Sequence, residues 1–248
     1  MTYPVENDGC VKDCQLCHGD GWIRVKTDSL DYWYLAECPN RPPRTWSNKL
    51  GITLDEAAHL DWTKYLTRKS STQIKRALTL MLSRGYGFLY LFGVPGTGKT
   101  VMSKSATLLA KYKHGLDAHY CTHSGMSNNL RAAYDANDGQ SAYKRQLDWY
   151  CHVRWLVIDE IGRDRRNEFS KSVLSDVMNE RYNVSIERKT SVTVLVSNFA
   201  PEDVLDDYQL DRVHDKRSTI LQVKDISFRA LPMFEQAKES DPLWWQKL

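Results

Sequence analysis

The stretch Gly93-Val94-Pro95-Gly96-Thr97-Gly98-Lys99-Thr100 constrains this chain more than any other. It fits G-x-x-x-x-G-K-[ST], a glycine turn whose backbone N–H groups point inward at phosphate oxygens. Phe88-Leu89-Tyr90-Leu91-Phe92 precedes it, a short apolar run that predicts a buried strand. Val101 to Tyr112 follows, with Ala106, Leu108, Leu109 and Ala110, and predicts a helix. Strand, glycine turn and helix are the context this motif requires. The glycines let the backbone curl, and the helix N-terminus adds its positive dipole end. Lys99 then reaches the β- and γ-phosphates of ATP, and the Thr100 hydroxyl binds Mg²⁺. Gly93, Pro95, Gly96, Thr97, Gly98, Lys99 and Thr100 are therefore the candidate nucleotide contacts.

The rest of such a site is readable further along. Ala118 to Cys121 predicts a second strand, and helices are expected over 124–136 and 140–150. The run Trp155-Leu156-Val157-Ile158-Asp159-Glu160 is a buried strand ending in two carboxylates. That is the Walker B pattern, and it puts both acids at the carboxyl edge of a parallel strand, beside the glycine turn, where open α/β sheets bind ligands. Asp159 is the candidate for the Mg²⁺ shell, and Glu160 for orienting and polarising the attacking water. Residues 167–186 predict an amphipathic helix with Phe169, Val173, Leu174, Val177 and Tyr182 on its apolar face. Val192 to Val196 then predicts a buried strand ending in Ser197-Asn198, and Asn198 is a candidate partner for the water or the γ-phosphate. A short helix from Pro201, the pair Asp211-Arg212, Arg217, a strand over 219–223 and Ser227-Phe228-Arg229 complete the pattern. An arginine here, Arg212 or its rival Arg217, is placed to reach a neighbouring subunit's γ-phosphate.

At 42% hydrophobic and 26% charged, the 248 residues have the composition of one sizeable globular domain plus a small appendage. The net charge of +3 is too small to establish a nucleic-acid partner without a local cluster. No apolar run approaches the roughly 18 residues of a membrane span. The polar start, Met1 to Asp8, lacks the basic and apolar regions of a signal peptide, so a cytoplasmic location with no membrane partner is expected.

In that setting cysteines are read as thiols or metal ligands. Four lie near the start: Cys10, Cys14, Cys17 and Cys38. Cys14-x-x-Cys17 is a zinc-knuckle spacing. Trp22 to Val25 and Tyr32 to Leu35 read as a hairpin that delivers Cys38, with Cys10 as the fourth ligand and His18 as a substitute. So small a head buries little core, and a structural Zn²⁺ would supply its folding energy. The chain thus divides into a zinc-binding head over 1–45, closed by the proline-stiffened stretch Asn40-Arg41-Pro42-Pro43-Arg44, a linker and basic helical segment over 46–84, and a nucleotide-binding core over 85–248. Residues 53–84 are expected to be helical, beginning at an N-cap Thr53 and carrying Lys64, Arg68, Lys69, Lys75, Arg76 and Arg84.

With these pieces in place, residues roughly 50–230 resemble the DnaC/IstB branch of the AAA+ ATPases. The carrying segments are Gly93–Thr100, Trp155 to Gly162, Arg181-Tyr182, Val196-Ser197-Asn198-Phe199-Ala200-Pro201-Glu202, Asp211-Arg212 and Ser227-Phe228-Arg229. The resemblance implies an α/β fold, a P-loop AAA+ core with a five-stranded parallel sheet between helices. It implies Asn198 as sensor 1, Arg212 as arginine finger and Arg229 as a sensor-2-like residue. It also implies ATP-dependent homo-oligomers on single-stranded DNA and an N-terminal appendage that grips a partner. The implied function is a replicative helicase loader; the alternative is an IstB-like transposition helper that binds DNA and recruits a transposase. Two segments depart from the pattern. Val213-His214-Asp215-Lys216-Arg217 is unusually polar, and Arg163-Asp164-Arg165-Arg166 is unusually basic, reading either as a DNA-phosphate contact or as a solvated loop. Asn128, Asn129 and Arg131 lie where the family contacts DNA.

Overall fold

The computed structural model describes Gln15 and residues 22–27, 30–37, 50–60, 69–136, 139–163, 167–225 and 227. The chain forms two compact units, Met1–Lys49 and Leu50–Leu248. In the first, strands β1 (Trp22–Thr27) and β2 (Leu30–Glu37) pair antiparallel, with Trp22 opposite Glu37 and Val25 opposite Tyr34. This is the expected hairpin. Cys10, Cys14, Cys17, His18 and Cys38 lie outside the described residues.

The second unit opens with α1 (Leu54–His59). Thr53 caps it: its hydroxyl accepts from Glu56 N–H at 3.2 Å, while the Glu56 carboxylate accepts from Thr53 N–H at 2.9 Å. The helix expected over 53–84 is interrupted. Leu60 takes extended dihedrals and ends α1, and α2 (Lys69–Arg84) is a separate helix. Lys64 and Arg68 lie outside the described residues. Five parallel strands follow: β3 (Gly87–Gly93), β4 (Ala118–Thr122), β5 (Trp155–Ile161), β6 (Val192–Ser197) and β7 (Thr219–Val223). Between them run α3 (Lys99–Tyr112), α4 (His123–Tyr134), α5 (Gly139–His152), α6 (Glu168–Arg188), a 3₁₀ turn at Pro201–Asp203 and α7 (Asp207–Val213).

The sheet order is β4-β5-β6-β3-β7. Strands covered on both faces read as continuous apolar runs, which is why β3, β5 and β6 were legible. Phe88, Leu89, Tyr90, Leu91, Trp155 to Ile158 and Val192 to Val196 are all buried. Burying each large aliphatic side chain among them is worth about 1.5–3 kcal/mol. The order has a consequence for the site: β5, which bears Asp159 and Glu160, does not neighbour β3. Strand β6 lies between them and pairs with both.

A fully buried arginine ties the elements behind the sheet together. Arg181 of α6 donates through Nη1 to the carbonyls of Tyr150 and Val153 at 2.9 and 2.8 Å. Its Nη2 donates to Val192 O at 2.7 Å, and its Nε to Thr193 Oγ1 at 2.7 Å. The planar fork thereby pins the end of α5 to the start of β6. Burial works against its charge and pushes its pKa down to about 9, so it is still protonated near neutral pH.

Candidate nucleotide site

The glycine turn leaves β3 at Gly93 and enters α3 at Lys99. Gly98 has φ 89°, and a Cβ built there would meet no atom within 4 Å, so space is open beside it. Gly96 has φ 80°, and a Cβ there would come within 2.1 Å of the Ser227 hydroxyl. Side chains are excluded at both positions by conformation, and at Gly96 by contact as well. Open space in front of left-handed backbone at a helix N-terminus fits a phosphate. The buried Thr97 hydroxyl donates to Val94 O at 3.0 Å and braces the turn.

Lys99 is 5% exposed, and its ammonium donates to Gly93 O at 2.8 Å and Val94 O at 2.9 Å. Burial pushes its pKa down to about 8 against the opposing pull of Asp159. Thr100 and Asp159 meet directly: Thr100 Oγ1 donates to Asp159 Oδ2 at 2.7 Å. The Tyr120 hydroxyl donates to the same oxygen at 2.8 Å. Glu160 N–H donates to the other, Oδ1, at 2.6 Å. Asp159 is 3% exposed, so an ionised carboxylate there depends on these donors. Burial first, then Asp159, pushes the Tyr120 phenol far up, which keeps it a neutral donor. The hard oxygen set of Thr100 and Asp159 beside a phosphate cradle suits Mg²⁺, which takes few protein ligands.

Glu160 has φ 59°, left-handed for a residue with a Cβ, at a cost of about 1 kcal/mol or more. The β5–β6 register shifts between Ile158 and Ile161, so the chain bulges at Asp159-Glu160. The bulge turns one acid inward and leaves the Glu160 side chain 39% exposed. Arg163 Nη1 donates to Glu160 Oε1 at 2.5 Å. Arg163 is therefore an ion-pair partner of Glu160 in the same loop, an arrangement neither reading of the basic run anticipated. Arg165 and Arg166 lie outside the described residues.

Asn198 is exposed just past the end of β6, between the strands of the glycine turn and of Asp159. Ser197 aims it. The Ser197 hydroxyl donates to Ile161 O at 2.8 Å and accepts from Phe199 N–H at 3.0 Å, locking the ends of β5 and β6 together. The sequence assigned no bracing role to Ser197.

The two finger candidates differ in how tightly they are held. Arg212, in the last turn of α7, stacks over the rings of Tyr208 at 4.2 Å and Tyr182 at 5.1 Å. Its Nη1 donates to Tyr208 O at 2.8 Å, and its Nε has no hydrogen-bond partner among the described residues. Arg217 instead grips Asp215 with two bonds, Nε to Oδ1 at 2.6 Å and Nη2 to Oδ2 at 2.7 Å, and also donates to the Tyr182 hydroxyl. Arg229 lies outside the described residues. On α4, Asn129 donates to the Tyr150 hydroxyl at 3.2 Å and Arg131 lies over the Phe169 ring at 5.0 Å, while Asn128 is exposed.

A parallel sheet of this order, with a glycine turn and a paired Thr100–Asp159 at its carboxyl edge, defines a P-loop nucleotide-binding domain. The IstB-like ATP binding protein family matches residues 37–234, and the chain belongs to it. No curated protein is a significant match. Among solved structures, the chain is similar to a DNA replication initiation factor, with TM-score 0.60 and 16% identity over 76% of this chain and 55% of that one. It is similar to the replication initiator DnaA bound to AMPPCP and single-stranded DNA, with TM-score 0.59 and 16% identity over 75% of this chain and 59% of that one. A third likeness is to the DnaC helicase loader, with TM-score 0.57 and 15% identity over 69% of this chain and all of that one. The chain thus spans little more than half of the first two, and at these identities the likenesses show the fold. Among the described residues, no helix is long and apolar enough to cross a membrane, and no group of three or more His, Cys, Asp or Glu is arranged to hold a metal.

Proposed function

We propose that this ATPase is a helicase loader, which grips a replicative helicase through residues 1–45 and places it on single-stranded DNA as an ATP-bound homo-oligomer. The observation that carries the reading is the union, in one chain, of a built nucleotide site with a separate N-terminal unit, Met1–Lys49. The likeness to the DnaC helicase loader, whose whole length is covered, supports it. In this reading Cys10, Cys14, Cys17 and Cys38 hold a structural Zn²⁺ that supplies folding energy to a small head.

At the site, backbone N–H groups of Gly96, Thr97 and Gly98 cradle the phosphates, and Lys99 turns from the Gly93 and Val94 carbonyls to the β- and γ-phosphates. Thr100 and Asp159 hold Mg²⁺, which when bound neutralises phosphate charge. Glu160 orients and polarises the attacking water, and Asn198 hydrogen-bonds that water or the γ-phosphate. Arg212 reaches the γ-phosphate of a neighbouring protomer, so that hydrolysis depends on assembly. Arg229 contacts the nucleotide as a sensor.

Membership of the IstB-like family favours one second reading, a transposition helper that binds DNA and recruits a transposase. The test is a pull-down with the Glu160→Gln protein held on ATP, captured proteins being identified by mass spectrometry. Recovery of a replicative helicase, lost when residues 1–45 are removed, supports the loader. A transposase in its place moves the protein to the second reading, and capture of neither contradicts both.

A further inference from the structure

We propose that Tyr120 is a positioning residue for this ATPase, its hydroxyl holding the Asp159 carboxylate turned toward Thr100 in the orientation that receives Mg²⁺. The inference rests on the assignment of Thr100 and Asp159 above. Tyr120 lies on β4, at the far side of β5 from the glycine turn, and its backbone partner on β5 is Val157, two residues before Asp159. Only the length of a tyrosine carries a hydroxyl from there to Asp159 Oδ2, where it arrives at 2.8 Å beside the Thr100 hydroxyl at 2.7 Å. Two donors on one oxygen and Glu160 N–H on the other fix the carboxylate plane from three sides. A carboxylate held this way needs no reorganisation when a cation arrives, which is the role of groups that orient metal ligands.

The ring of Tyr120 is itself held. Lys104 of α3 places its ammonium 4.8 Å from the ring centroid, and that ammonium pairs with Glu56, the partner of Thr53 in the capping box of α1. Gly51 packs against the Tyr120 carbonyl so closely that a Cβ there would come within 1.8 Å of it. The segment that opens the second unit thus packs against the Tyr120 backbone, and Lys104 lies over its ring. A tyrosine serving only as core would not need its hydroxyl on the metal-binding carboxylate, and phenylalanine would fill the same volume.

The test uses the full-length protein and a fluorescent ADP analogue, titrated in EDTA and again across a Mg²⁺ series, for wild type and Tyr120→Phe. The substitution keeps the ring and the Lys104 contact. The expected result is unchanged affinity in EDTA, with about tenfold more Mg²⁺ needed for half-maximal enhancement of binding. A variant with the wild-type Mg²⁺ dependence overturns the inference and leaves the Asp159 assignment standing. A variant that loses its metal-free affinity or its thermal transition assigns the hydroxyl to the core and overturns it too. Wild-type binding that ignores Mg²⁺ removes the Asp159 assignment itself, and this inference with it.

Discussion

Arg163 holds Glu160 through an ion pair at 2.5 Å, so the carboxylate assigned to the attacking water is engaged by its own loop. The pair is exposed, at 75% for Arg163 and 39% for Glu160, and such pairs are worth at most about 1 kcal/mol. Releasing Glu160 by Arg163→Ala should therefore raise basal ATP turnover, by up to about fivefold, with nucleotide affinity unchanged. Steady-state turnover and nucleotide titration of the two proteins check this; an unchanged or lowered rate assigns Arg163 a different role.

Arg212 and Arg217 should separate by assay. Arg212 stacks on two rings with an unsatisfied Nε, so it has little to lose by reaching out, whereas Arg217 is locked to Asp215 and Tyr182. Arg212→Ala should keep ATP binding and lose the rise in specific activity with protein concentration. Arg217→Ala should keep that rise and lower Tm. The reverse pattern makes Arg217 the finger.

The Asp215 pair predicts a pH dependence of stability. Hydrogen bonds from Arg217, with a further one from Tyr182, hold the Asp215 carboxyl well below the usual carboxylate range. A depressed native pKa means that the stabilisation is fully present above the unfolded value of about 3.9 and is lost as pH falls toward the native one. With Asp215 17% exposed, its loss should cost about 1 kcal/mol near neutral pH. Urea midpoints of wild type and Asp215→Asn should differ at pH 7 and begin to converge below about pH 4. A constant gap across that range contradicts the ion pair.

Arg181→Lys keeps a positive charge but cannot fork to the carbonyls of Tyr150, Val153 and Val192. Leaving buried acceptors short of donors around a buried charge should cost about 3 kcal/mol, on the order of 10 °C in Tm. Thermal melts at one protein concentration measure it, and a loss under 2–3 °C, about 1 kcal/mol for a chain this size, would show that the fork is dispensable.

These residues also mark what was legible in the sequence. The strands Phe88 to Phe92, Trp155 to Ile158 and Val192 to Val196 announced themselves because strands buried on both faces must be apolar throughout. The glycine turn and the Asp159-Glu160 pair were readable because their chemistry demands fixed residue types at fixed spacing. Strand order was not readable from local pattern, and it is β6, inserted between β3 and β5, whose end carries Asn198 between those two strands. Arg181 was marked only as part of the family resemblance, and its role and that of Tyr120 were hidden for a related reason. An arginine on a long helix reads as a surface charge and a tyrosine in a strand reads as core, and only tertiary contacts reveal five acceptors around one and Asp159 beside the other. The left-handed φ of Glu160 has no glycine or asparagine to signal it.

The most direct test of the site is to measure bound nucleotide and ATP turnover together in Glu160→Gln. Removing a positioned general base costs about 10²–10⁴-fold in rate. The account predicts that the variant binds ATP as wild type does, retains it unhydrolysed, and turns over at least about a hundredfold more slowly. Turnover at the wild-type rate, with ADP recovered from the protein, would contradict the assignment of Glu160 and with it the chemistry proposed for this site.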